Sequence, residues 1–165
     1  MTPWTERPQE EAYLLNPAFC ALLLWRAIRG YRSVTFTGMP LLLTFLVLPV
    51  VLHKATREAL PRDVRTSLAA WLENSGELRV RFAERAQALV PYVREGLLFG
   101  TLHGAIFIDG DGRFLAQSRL RKLTAYRQTT TDEIRDCISR AEFVGKWFAN
   151  AGSASTIMAL WGVRP

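Results

Sequence analysis

Residues 39–52, MPLLLTFLVLPVVL, constrain this chain more than any other stretch, because Thr44 is the only polar side chain in the run. Such a segment has three outlets: a bilayer, a protein interior, or a surface that docks another protein. It falls short of the ~20 apolar residues that a spanning helix needs. It also carries Pro40 and Pro49, and no second run accompanies it. The N-terminal stretch MTPWTERPQEEAYLL has acidic residues and no basic region ahead of an apolar segment, so it does not read as a signal peptide. The expectation is a run buried in protein, in a cytoplasmic chain without a membrane partner. Pro40 starts it as a helix and Pro49 kinks or restarts it, with a strand over 43–48 as the alternative.

The remaining chain has enough apolar material to cover that run. Of 165 residues, 49% are hydrophobic and 22% charged, a globular balance. The pattern predicts a single domain over 1–165, mainly α: a compact helical domain with a small β-hairpin. Residues 1–12 are expected as a flexible N-terminus. Asn16 and Pro17 open a helix that Gly30 should close, and YRSVTFTG reads as a β-prone connection. Its apolar residues cover most of the circumference, so it is either buried on several sides or shared with a partner. A helix over DVRTSLAAWLEN, another over ELRVRFAERAQALV and a third starting at Pro91 come next. AIFID and RFLAQ then flank GDG as a hairpin. A long helix with an acidic first turn and a short SASTIMAL helix follow.

Two helices, a glycine and a hairpin over 77–117 have the outline of a winged helix-turn-helix. A DNA reader would need polar side chains along helix 91–103, yet that segment offers mainly Leu97, Leu98, Phe99 and Leu102. The net charge of +6 has a clearer location. Arg113, Arg119, Arg121, Lys122 and Arg127 occur without an acid between them, either as a solvated basic loop or as a sequence-independent track for phosphates.

Catalytic chemistry finds little support. Gly145-Lys146 lacks the upstream glycine and following Ser or Thr of a phosphate-binding loop. His53 and His103 have no companions at metal-ligand spacing, and Asp109 and Asp111 belong to the hairpin turn. Cys20 and Cys137 are too far apart for a disulfide framework or CxxC site and read as buried hydrophobes. No enzyme, metal or cofactor is expected.

Four segments, NPAFCALLLWRAIRGY, LVLPVVLHKATREALP, RFAERAQALVPYVREGLLFG and AEFVGKWFANAGSASTIMALWGVRP, resemble the middle component of bacterial three-component ABC systems. The resemblance spans nearly the whole chain, and its closing segment is the most specific part. It implies a small cytoplasmic protein encoded with an SMC-like or Rad50-like ABC ATPase and a variable third component, an effector. The implied setting is defence against phage or other invading DNA, with no catalytic residues to carry over. An adaptor of this kind needs apolar and aromatic anchors beside cations. His53, Lys54 and Arg57 of HKATRE, with Trp147, Trp161, Val163 and Arg164, are the candidates for that partner interface. Core packing is the alternative for each tryptophan. DNA contact through the complex and self-association stay open. The WGVRP end is expected either to dock on a partner or to close the core through Trp161.

Overall fold

Asn16 caps the first helix, its Oδ1 accepting from the Ala18 N–H at 2.8 Å, and Pro17 fills the first turn. This helix, α1 (Pro17–Thr35), is one of eight among the residues that the computed structural model describes, 15–117 and 131–164. It is followed by α2 (Leu41–Val51), α3 (Lys54–Ala59), α4 (Leu68–Asn74), the single turn α5 (Gly76–Arg79) and α6 (Phe82–Leu102). Strands β1 (Ile106–Ile108) and β2 (Phe114–Ala116) pair antiparallel, Ile106 opposite Ala116 and Ile108 opposite Phe114. Helices α7 (Asp132–Asn150) and α8 (Ala154–Leu160) complete a mainly α architecture with one small hairpin. The expected N-terminal arm, 1–12, and Arg119, Arg121, Lys122 and Arg127 lie outside the described residues.

The apolar run is internal to the protein. As α2 it is apolar on every side, and Leu43, Leu46, Val47, Leu48, Val50 and Val51 are fully buried. Its one hydroxyl is satisfied locally, Thr44 Oγ1 donating to the Leu41 carbonyl at 2.6 Å. Burying each of these aliphatic side chains contributes about 1.5–3 kcal/mol, so the other helices must cover most of this one, though Leu41 stays exposed and Leu42 and Phe45 half-buried. No helix among the described residues is long and apolar enough to cross a membrane.

The helix expected from Asp63 begins only at Leu68, where Ser67 caps it, and two further expected boundaries are displaced, for different reasons. Gly30 does not end α1, which runs five residues further to Thr35. Glycine is needed there because α7 crosses at that point: a Cβ on Gly30 would sit 2.3 Å from the Glu142 carbonyl oxygen. Gly145 does the same from the opposite helix, where a Cβ would lie 1.9 Å from the Ala27 carbonyl oxygen. The two backbones meet directly, and Gly145 belongs to this crossing. Pro91 does not start a helix either. It lies within α6, on the exposed side where its ring meets solvent, and the break falls instead at Val80–Arg81. Residues 77–103 therefore form one turn and one long helix, without the expected turn before Pro91. The hairpin closes as expected, Asp109 Oδ1 accepting from the Asp111 and Arg113 N–H groups.

One buried cluster runs from Cys20 to Trp161. α1 lies at its centre, between α7 and α6, where Gly96 brings α6 onto Cys20 and Leu24. The start of α2 and the end of α6 meet at the hairpin: Met39 bridges to Phe114, and Gly100 seats Ile106. These two helices consequently run antiparallel along one side of the molecule.

Candidate functional site

The HKATRE segment is built into the fold. His53 caps α3, its Nδ1 accepting from the Thr56 N–H at 3.3 Å with the Thr56 hydroxyl 2.7 Å away. Burial, reinforced by the Arg85 charge, holds the His53 imidazole below the ordinary histidine range, as an accepting nitrogen requires. Arg57 is 3% exposed and ties three elements together. It donates to the Val51 carbonyl at 2.9 Å, to Asp136 at 2.8 Å and to Glu133 at 3.0 Å. Burial disfavours its charge, but the hydrogen bonds to Asp136 and Glu133 outweigh that penalty and raise its pKa. Of the three candidates in this segment, Lys54 alone stands out in solvent, loosely paired with Glu58 at 3.9 Å.

Trp147 and Trp161 are each 1% exposed, so in this structure their rings face the chain's own core. Trp147 stands edge-on to Trp71 at 5.2 Å and donates Nε1–H to the Thr66 carbonyl at 2.7 Å. Trp161 stacks on Phe82 with centroids 4.1 Å apart. The C-terminal segment divides at this point. Gly162 takes φ +70, the Val163 N–H returns to the Met158 carbonyl at 3.0 Å, and the Gly162 N–H to Ala159 at 2.9 Å. This pair of bonds closes α8, and the left-handed residue it demands explains the glycine. Trp161 closes the core, while Val163 and Arg164 are turned onto a neighbouring surface groove.

That groove, about 530 Å³, runs between α2 and α6 and is closed at one end by α8 and Gly162–Arg164. Phe45, Val90, Met158 and Val163 give it an apolar lining, with Arg94 and Arg164 at its sides. A larger cleft of about 800 Å³ lies beside α7, but both of its carboxylates, Asp63 and Glu142, are already paired. Glu142 there bonds Arg26 at 3.2 Å and Lys146 at 3.0 Å. Burial opposes ionisation of Glu142, and these cations overcome it to hold the carboxyl below its usual range.

No three His, Cys, Asp or Glu side chains among the described residues come together as a metal site. Burial pushes the Cys20 thiol up to about 12, far from the thiolate a nucleophile needs. The Cys137 thiol, also raised by burial, points at the Val51 carbonyl. Arg113 is half-buried and reaches toward the Gly38 carbonyl at 3.5 Å, so it serves the hairpin base.

The family model described as ABC-three component (ABC-3C) system Middle Component 3 matches residues 4–165. The chain belongs to that family. No curated protein and no solved structure matches it. For this middle component the groove is the feature that sequence reasoning missed. Its lining comes from α2, α6, α8 and the residues after α8, which no local pattern connects. The usable signal was the apolar helix α2, whose half-buried Leu42 and Phe45 extend beyond what α6 covers.

Proposed function

We propose that this middle component is a non-catalytic, cytoplasmic adaptor. It links an SMC-like ABC ATPase to an effector in a bacterial system directed against phage or other invading DNA. The observation that carries the reading is the match of residues 4–165 to a family of middle components, proteins defined by the company they keep. The open groove supports it: half-buried apolar side chains flanked by cations are interface chemistry. A single domain over 1–165 is part of this reading, supported by the one buried cluster that α1, α2 and α8 share among the described residues.

The test is co-expression of the tagged chain with the other components of its system, followed by purification with and without nuclease. The adaptor reading expects a stoichiometric complex that survives nuclease. Components that co-purify only while DNA is present would favour the alternative, sequence-independent DNA binding through the basic stretch 113–127. In that case Ala at Arg119, Arg121 and Lys122 would weaken binding on all sequences alike and flatten its salt dependence.

A further inference from the structure

The groove between α2 and α6 has features that specify its occupant. Along α6, Ala83, Gln87, Val90 and Arg94 fall on one helical face and line it, and the same face continues to Leu98, which is 60% exposed. Across from it, α2 contributes Leu42 and Phe45, with Leu41 42% exposed beyond them. The apolar strip thus extends past the enclosed part of the groove toward the hairpin.

Charge gives the second constraint. Several arginines are answered by acids, Arg26 by Glu142, Arg57 by Asp136, Arg65 by Asp63 and Arg81 by Glu84, whereas Arg32, Arg62 and Arg79 form no ion pair among the described residues. What marks Arg94 and Arg164 is that both line one apolar groove. Arg94 and Arg164 have no ion-pair partner among the described residues, and no carboxylate there lines the groove. Backbone gives the third. Both walls are helices whose backbone bonds lie mostly within themselves. Pro49 and Pro91 give no N–H to the Phe45 and Gln87 carbonyls, but these are single acceptors, so the groove has no row of free backbone groups to receive an extended strand. An occupant must satisfy its own backbone, and a helix does.

We infer that this groove seats an amphipathic helix of a partner protein, one that carries carboxylates beside its apolar stripe to meet Arg94 and Arg164. The inference rests on the adaptor reading and names the chemistry of the partner segment. Apolar anchors spaced i, i+3/i+4, i+7 enter between Phe45 and Val90, and the two guanidiniums fix the register.

The test uses the full chain and overlapping synthetic peptides that span the other components of its system, with affinity read by fluorescence anisotropy. The tightest peptides should be helix-forming, with Asp or Glu flanking an apolar stripe. Arg94→Glu combined with Arg164→Glu should weaken them about tenfold or more at an unchanged melting temperature. Replacing the peptide's acids with Lys should restore binding to that double variant. The inference is overturned if no peptide binds, if the tightest ones are neutral or basic, or if the double variant binds as the unaltered chain does. It is equally overturned if the groove is filled by residues 1–14 of this chain or by a second copy, read by cross-linking from Val163. A nuclease-resistant complex that assembles unchanged with the double variant would sink the groove and leave the adaptor. Acidic peptides that bind while the whole components never assemble would do the reverse.

Discussion

The two flanks of this molecule are made differently. On one, α1 and α7 cross with glycine against backbone at Gly30 and Gly145, and the side chains between them are buried. On the other, α2, α6 and α8 meet through larger side chains that leave Phe45, Val90 and Val163 half-covered beside unmatched cations. At its crossing the first flank has no room to change, because a single added methyl meets a carbonyl oxygen. The second has a groove. The tight backbone crossing and the apolar groove are thus segregated, and the cleft beside α7 on the first flank differs from the groove in having its carboxylates paired.

The sharpest way to break this contrast is to add one carbon to the closed side. Gly145→Ala should cost about 3 kcal/mol or more in chemical denaturation, because the clash is with backbone that cannot rotate away. A cost below about 1 kcal/mol would mean the crossing is looser than described. Next in size is the buried cation that ties α2 and α3 to α7. Arg57→Ala should destabilise by about 2 kcal/mol, below the ~3–5 kcal/mol of a fully buried pair, because Glu133 and Asp136 keep partial access to water. Lys should restore little of it, since one ammonium cannot reach all three acceptors.

A smaller effect separates the two core tryptophans. Trp147→Phe breaks the bond to the Thr66 carbonyl, whereas the Trp161 indole N–H has no hydrogen-bond partner to lose among the described residues. Trp147→Phe should therefore cost about 1 kcal/mol more than Trp161→Phe in the same denaturation experiment.

The smallest effect is on pH. His53 has its pKa lowered by the fold from an ordinary 6.5. A lowered folded value means its capping contribution is complete above 6.5 and is lost as pH falls through the folded value. Melting temperatures should decline as pH falls below about 6.5, by less in His53→Asn, which keeps an accepting side chain at the cap. Equal declines in the two proteins would remove His53 as the cause.

What could be read ahead of the structure follows the same division between local and distant causes. Caps at Asn16, Thr131 and Ser153 are decided by neighbours within three residues, and the hairpin turn by Asp109 and the glycines that follow. Gly30 and Pro91 carry local signals for helix ends, and tertiary contacts and solvent exposure override both. Arg57 has the look of a surface residue in HKATRE, because its carboxylate partners lie 76 and 79 positions away. The groove was illegible for a related reason: Arg94 and Arg164 come to line one groove only when the chain turns at Gly162. The tail was legible as significant, with docking as the expectation and core closure through Trp161 as the alternative; its division, Trp161 buried and Val163 and Arg164 lining the groove, was not foreseen.

The central claim, a closed flank that holds the fold and an open flank that docks, is tested most directly by hydrogen–deuterium exchange. The chain is compared alone and in complex with the other components of its system. The account predicts new protection over α2, the 83–102 part of α6, α8 and residues 162–164, with α1 and α7 slow to exchange in both states. New protection confined to α7 and the hairpin, with the groove face exchanging as before, would contradict it.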